Sequence, residues 1–257
     1  MPTLENPLAK LGRANEHLQQ LLNEARAFVK TDPYSVVNEE RAADLDVARL
    51  SVREYPPLRL GLIFGDLLAN WRSALDNLVY QLVLLNGCDP GGGSSFPIFV
   101  SEDHFENRGK NYIRGVRSDH AAIIEALQPF QERKDPTAQA LAAVNKHVNI
   151  DKHRAIHPAL TALIDAEDYA KSFRRESTTA EFEVEVEPVG FNQPLEDGME
   201  LSRIHWRPPV PNPKPLIEAE FSVEIAFGES GLALRALPAI HRHVQTVVGR
   251  FASDFND

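Results

Sequence analysis

The chain has 257 residues, a formal net charge of −10 and one cysteine. Its 43% of hydrophobic and 25% of charged residues are typical of a globular protein and exclude a disordered chain. A lone cysteine excludes an intrachain disulfide and a multi-cysteine zinc site. The first residues lack the basic and apolar regions of a secretory signal, and no apolar run is long enough to cross a bilayer. We therefore expect a cytoplasmic protein that is not attached to a membrane.

The charges are unevenly distributed along the chain. Residues 104–157 contain nine Lys and Arg against six Asp and Glu, and five of the nine histidines. Residues 168–230 contain thirteen acidic residues against six basic ones. An acidic protein needs clustered cations in order to approach a phosphate backbone. The middle segment is therefore either such a cluster or a mixed, solvated surface.

A helix and a hairpin are predicted first. Residues 8–29 favour a helix, because apolar residues recur at spacings of three and four. Asp32 and Pro33 then break it. Residues 34–37 and 45–52 are rich in β-branched or alternating side chains, which predicts a β-hairpin whose looser turn is the polar stretch 38–44.

The strongest predicted element is a helix over residues 58–85, which follows Pro56 and Pro57, a favourable start for a helix. Four elements are predicted after it: a glycine-rich loop at 87–95, an extended piece at 96–99, and helices at about 119–127 and 137–155.

The C-terminal part alternates between apolar and polar residues, which predicts strands with one covered face and one wet face. The predicted elements are strands at 180–187, 199–206 and 217–227, a proline-rich connector at 208–215 and a final helix at 236–255. His241 and His243 are predicted on the polar, solvated side of that helix.

This order of elements predicts an α+β fold, in which a helical bundle surrounds the long central helix (about 58–85) beside an antiparallel sheet and a C-terminal helix. We expect a single domain over residues 1–257. Its parts are a helical part (about 1–30 and 57–157), a β-hairpin (about 34–53) and a C-terminal sheet plus helix (about 160–257).

Polar side chains recur along the long helix. At 100° per residue, one narrow side carries a polar seam of four residues: Asp66, Asn70, Ser73 and Asn77. Arg72 and Asp76 lie four residues apart on another side, where they can form an ion pair. These six are candidate binding residues. The seam either meets polar groups of a neighbouring helix or water, or lines a pocket or a symmetric dimer interface.

Residues 144–157 are dense in groups that donate, accept and titrate. Lys152, His153 and Arg154 are the candidate catalytic or phosphate-binding residues, because the cations can bind phosphate and an imidazole can act as a general acid or base. Asn149 and Asp151 are further candidate binding residues.

The same segment has a structural interpretation, in which it caps and bridges neighbouring helices. Asp66 or Asp76 would then be partners for His153 or Arg154. The histidines and carboxylates do not converge on one point as metal ligands must. We therefore predict no metal site and no cofactor.

Residues 65–78 read GDLLANWRSALDNL, and residues 149–154 read NIDKHR. Together they resemble a group of bacterial proteins of no established activity that is frequent in actinobacteria. The pieces FPI at 96–98 and LQPFQ at 127–131 fit the same pattern, as do the acidic C-terminal sheet and final helix. The resemblance covers most of the chain and implies no activity.

The long helix also resembles the HEPN superfamily, many of whose members are metal-independent ribonucleases of toxin or antiviral systems. Their signature is an arginine, four to six residues, and a histidine. Here Arg72 leads to Asn77, an amide that cannot exchange a proton at neutral pH. The signature therefore does not carry over as a catalytic site, and nuclease chemistry would rest on His153 with Lys152 and Arg154.

Three functions fit these features. The first is a non-enzymatic helical interaction module that self-associates or binds a protein partner, in bacterial stress or defence. The second is a HEPN-like ribonuclease, with RNA as its partner. The third is a small-molecule-binding protein with a pocket beside the long helix. The sequence alone leaves open whether the protein is an enzyme.

Overall fold

The computed structural model describes seven ranges of the chain: 1–132, 134–154, 156–162, 183–189, 194–209, 223–228 and 231–255. They form helices and antiparallel strands, which confirms the predicted α+β class. The chain divides into two compact units. Unit 1 consists of Met1–Leu22, Arg59–Ile156 and Arg235–Asp257, and unit 2 of Asn23–Leu58 and His157–Leu234. The single domain expected over residues 1–257 stays a prediction.

The first helix, α1 (Glu5–Val29), begins three residues before its predicted start. Thr3 Oγ1 accepts a hydrogen bond of 2.9 Å from the backbone N–H of Glu5, so a free donor of the first turn is satisfied. Pro7 is tolerated because it lies in that first turn. The predicted start was too late because the apolar pattern begins only at Leu8. The actual start is determined by the hydrogen bond from Glu5 N–H to Thr3.

The long helix, α2 (Leu58–Leu85), has its predicted bounds and forms the core of unit 1. Fifteen of its 28 residues are buried, and Trp71, Leu75 and Leu78 are completely inaccessible to solvent. Gln81 is buried as well, and its Oε1 accepts a 2.9 Å hydrogen bond from Thr3 N. The start of the chain is therefore tied to the middle of the core.

Three further helices complete unit 1: α3 (Ser118–Ala126), α4 (Ala140–His153) and α5 (Leu237–Gly249). Short helical turns that the sequence did not predict lie between α2 and α3, at Glu102–His104, Phe105–Gly109 and Lys110–Tyr112. Three-residue turns of 3-10 helix at Pro129–Gln131 and Pro136–Ala138 separate α3 from α4. A membrane span would need a longer and more apolar helix than any that the described ranges contain.

The predicted exposure of the α5 histidines is wrong. His241 is only 4% exposed, and His243 is half-buried. His241 lies four residues after Leu237 and three before Val244, and both of these are fully buried. These spacings place His241 on the apolar side of the helix. Its position on the helix therefore determines its burial, although its side chain is polar.

Unit 2 contains two antiparallel sheets. Its strands are β1 (Tyr34–Ala42), β2 (Leu45–Val52), β3 (Pro158–Ala162), β4 (Glu183–Pro188), β5 (Glu200–Arg207), β6 (Val223–Phe227) and β7 (Leu232–Ala233). One sheet has the order β1-β2-β5-β4 and the other β3-β6-β7. The hairpin β1–β2 therefore shares a sheet with the C-terminal strands β4 and β5. The sequence had predicted the hairpin and the C-terminal sheet as separate parts.

The hairpin turn is shorter than predicted. Residues 38–42 belong to β1, and only residues 43 and 44 form the turn. Glu39 accepts a hydrogen bond from Arg49 Nε at 3.1 Å, and Arg49 also lies 3.4 Å from Glu200 on the next strand. Such cross-strand charge pairs stabilise a polar stretch within an exposed edge strand.

Strand β4 confirms the alternation of its sequence, with Val184 and Val186 buried and the glutamates between them exposed. Strand β3, which pairs with β6, was not predicted. Parts of four predicted elements lie outside the described residues: 155, 180–182, 210–215 and 217–222.

Candidate functional site

An ion pair on α2 fixes an irregular segment of backbone. Arg72 and Asp76 form the pair that their spacing predicts, with Nη2 to Oδ1 at 2.7 Å and Nε to Oδ2 at 3.0 Å. Phe96 N–H donates to Asp76 Oδ1 at 2.9 Å, and its carbonyl accepts from Arg72 Nη2 at 2.9 Å. Both backbone groups of Phe96 are thus satisfied by side chains rather than by a neighbouring strand.

Gln128 continues this pattern along the same segment. It is 2% exposed, and its Nε2 donates to the carbonyls of Pro97 at 2.8 Å and Ile124 at 3.1 Å. Its Oε1 accepts from Phe99 N at 3.0 Å. In the sequence, Gln128 is only one residue of the LQPFQ piece, and no spacing predicts a role for it. The sequence does contain one signal for this role: Gln128 is a polar residue between two apolar ones, which suggests a buried side chain that satisfies backbone groups.

The segment, α2 and α4 together border a cavity of about 420 Å³. Its lining includes two cations, one carboxylate, two amides and three aromatic residues: Arg72, Lys152, Asp76, Asn145, Asn149, Phe96, Phe99 and Tyr112. The rings of Phe99 and Tyr112 are stacked on each other, with centroids 6.3 Å apart and planes inclined by 24°. We call this space the α2–α4 cavity.

The charges of the cavity are unequal. Asp76 is its only acidic residue among the described lining side chains, and both of its oxygens are engaged by Arg72 and the N–H of Phe96. Arg72 Nη1 has no hydrogen-bond partner within the described part of the chain. Lys152 is exposed and pairs with no carboxylate in the described ranges. The cavity therefore offers donors and positive charge.

The polar seam does not line this cavity. Asp66 is exposed, whereas Asn70, Ser73 and Asn77 are half-exposed, so the seam is the outward side of α2. Asn70 Nδ2 donates to the carbonyl of Asp66 at 2.8 Å, within its own helix.

Only part of the histidine-rich segment borders the α2–α4 cavity. Asn149 and Lys152 border the α2–α4 cavity. His153 and Arg154 are exposed at the last turn and are not among the described lining residues. Of the eleven predicted site residues, the structure thus brings four together: Arg72, Asp76, Asn149 and Lys152. The described ranges contain no cluster of three or more potential metal ligands.

Two carboxylates meet where α4 crosses α2. A Cβ at position 65 would lie 2.8 Å from Asp151 Oδ1, so Gly65 permits this close approach. Partial burial raises the pKa of Asp151 above its ordinary value, and the negative charge of Asp66 adds to the effect. The two carboxylates repel each other, so the pair costs stability when both are ionised.

We expect Asp151→Asn to stabilise the protein at pH 7, because it removes this repulsion. The gain stays below about 1 kcal/mol, since water screens two partly exposed carboxylates. A raised pKa in the folded state means that the penalty is present above that pKa and disappears as the pH falls below the ordinary pKa of aspartate. Thermal unfolding of both proteins at pH 7 and pH 3 checks this. A gain of equal size at both pH values would contradict it, and Asp66→Asn should add little to Asp151→Asn.

The fold and the cavity define the class: an α+β protein with a preformed polar cavity beside its longest helix. A scan of protein-family models and searches of curated proteins and solved structures find no match to the chain. The family resemblances of residues 65–78 and 149–154 therefore stay predictions, and any function has to be argued from the site.

Proposed function

We propose that the protein binds a small molecule in the α2–α4 cavity, and that this ligand joins an anionic group to a planar ring. One observation carries the proposal: the cavity contains two cations, and its one carboxylate already has all its partners within the protein. The chain as a whole has a net charge of −10. A local excess of positive charge in such a protein favours an anion.

Each group of the cavity has a role in this proposal. Arg72 is held by Asp76 and by the Phe96 carbonyl, so its free Nη1 is oriented before a ligand arrives. Lys152 adds a charge at the open side, and the amide of Asn149 can donate or accept. Tyr112 is 40% exposed and stacks on Phe99, which gives a ring of the ligand a flat surface.

The interaction module and the ribonuclease stay predictions. Self-association, a protein partner and a role in bacterial stress or defence have no support in the geometry of the described residues. The ribonuclease needs a proton-transferring group at the site, but His153 is outside the described lining. RNA is therefore not the proposed ligand and serves only as one probe in the experiment below.

Nucleoside monophosphates are suitable probes, because they join a phosphate to a planar base. We expect AMP or UMP to bind with one site per chain in isothermal titration calorimetry, and the unphosphorylated nucleosides to bind more weakly. Lys152→Gln should weaken nucleotide binding about tenfold, because one charge-assisted hydrogen bond is lost. Lys146→Gln is the matched control: Lys146 is an exposed lysine of the same helix outside the described lining.

The result can contradict the proposal in two ways. Binding of none of the nucleotides at millimolar concentration would reject it, and so would equal effects of Lys152→Gln and Lys146→Gln. A third arm uses mixed RNA. Cleavage that His153→Ala abolishes would replace this proposal with the ribonuclease.

A further inference from the structure

A buried histidine of α5 has one ring nitrogen without a hydrogen-bond partner in the described part of the chain. Trp71 Nε1 lies 2.9 Å from Nδ1 of His241, and an indole nitrogen only donates. His241 Nδ1 is therefore the acceptor, and the ring proton is on Nε2. Burial lowers the pKa of His241, so the ring stays neutral near pH 7. Nε2 is buried and has no hydrogen-bond partner among the described residues.

An unpaired N–H in a protein interior is unfavourable, and each native instance calls for an explanation. His241 lies in the wall of a groove of about 590 Å³ between α1 and α5. The bond from Trp71, a completely buried residue, holds the imidazole in place. The N–H on Nε2 is thus a fixed, buried donor on a residue that borders this groove.

The groove has an apolar side, formed mainly by leucines of α1. Leu11 and Leu18 are buried, but Leu8 is 55% exposed. At Gly12 an added Cβ would meet nothing within 4 Å, so the missing side chain leaves room in the groove. An apolar chain placed here would cover leucine surface that water now contacts.

The polar side of the groove contains no acid among its described lining residues. It presents the guanidinium of Arg242, together with three amides from Asn15, Gln19 and Gln245. In a chain with 37 acidic and 27 basic residues, a lining with one cation and no carboxylate favours an anionic group.

We propose that this groove binds a carboxylic acid that carries an unbranched apolar chain. The carboxylate accepts the hydrogen bond from His241 Nε2 and faces Arg242, and the apolar chain lies along Leu8 and Leu11. Because Nε2 is itself buried, the side chains that cover it must move aside when the carboxylate enters. The bond then forms away from bulk water, where it is strong. This site is separate from the α2–α4 cavity and does not depend on the proposed function.

Tryptophan fluorescence can test this proposal. The chain has two tryptophans, Trp71 in unit 1, which contains the groove, and Trp206 in unit 2. In a Trp206→Phe background, Trp71 is the only tryptophan and bonds the histidine that the ligand engages. We expect decanoate, below its micelle concentration, to change Trp71 fluorescence saturably. Decylamine, which has the same chain and a positive charge, should bind at least tenfold more weakly. An NMR titration should move the Nε2–H signal of His241 in parallel.

Two variants make the assignment specific. Gly12→Leu should fill the groove and weaken decanoate binding at least tenfold, whereas Arg13→Leu adds the same side chain on an exposed neighbour outside the described lining. Lys152→Gln should leave decanoate binding unchanged. The proposal is wrong if fluorescence does not saturate, if decylamine binds as well as decanoate, or if Gly12→Leu and Arg13→Leu behave alike. A response to a peptide C-terminus but not to decanoate would replace the fatty acid with a protein partner.

Discussion

Replacing Trp71 with alanine is expected to lower the free energy of unfolding by about 4 kcal/mol, the largest effect of any single change considered. The indole is completely inaccessible to solvent at the centre of α2, so its removal leaves a cavity that the surrounding side chains can only partly fill. The change also removes the donor to His241 Nδ1, so that neither ring nitrogen of His241 has a partner among the described residues.

Guanidinium unfolding followed by far-ultraviolet circular dichroism measures this loss, because the dichroism reports the helices. The fluorescence of Trp206, then the only tryptophan, follows unit 2 in the same samples. Tyr80→Ala is the matched control: this aromatic residue of the same helix is 43% exposed and should cost less than about 0.5 kcal/mol. Equal losses for the two variants would contradict the central position of Trp71.

Gln128→Leu is expected to cost about 3 kcal/mol, although leucine has nearly the same size and is more apolar. The amide satisfies three backbone groups, the carbonyls of Pro97 and Ile124 and the N–H of Phe99. Leucine satisfies none of them, and water reaches the site poorly because Gln128 is buried. The loss of stability should therefore come from the three backbone groups that lose their hydrogen-bond partner.

Gln131→Leu gives the comparison for this prediction, since the same change is made at an exposed glutamine three residues later. We expect it to stay within about 0.5 kcal/mol of the unsubstituted protein. The midpoint of denaturant unfolding should fall for Gln128→Leu while the slope stays constant. Because Gln128 supports the wall of the α2–α4 cavity, nucleotide affinity should fall as well. Similar midpoints for the two leucine variants would show that these three bonds contribute little.

Local patterns predict most of the helices and the hairpin. The bounds of α2 were predicted to the residue, because its apolar periodicity is long and Pro56-Pro57 precedes it. The alternation of β4 was equally clear. Strand β3 was missed because Pro158–Ala162 is short and has neither alternation nor β-branched enrichment, and its partner β6 lies more than sixty residues later. Strand pairing between distant segments produces no local sequence pattern from which it could be predicted.

The site was predicted in part for the same reason. Arg72 and Asp76 are four residues apart, so their pairing follows from helix geometry alone. Their bonds to Phe96 depend on a loop that returns to α2 after twenty residues, which no spacing reveals. Likewise, the chemistry of His153 favours it as a reactive group. It follows Lys152 within α4, however, and one residue turns a helical side chain by about 100°, so His153 is not among the lining residues.

The division of the chain also determines the order in which the units can form during synthesis. Every residue of unit 2 precedes Arg235, whereas unit 1 needs the segment from Arg235 onward. Domains generally begin to fold as soon as their residues have left the ribosome. Unit 2 can therefore assemble first, while α1 and α2 still have uncovered apolar surface. A nascent chain stalled before α5 would have no wall for the α1–α5 groove and no partner for the Trp71 indole. Such a chain is a natural client for chaperones until α5 has been made.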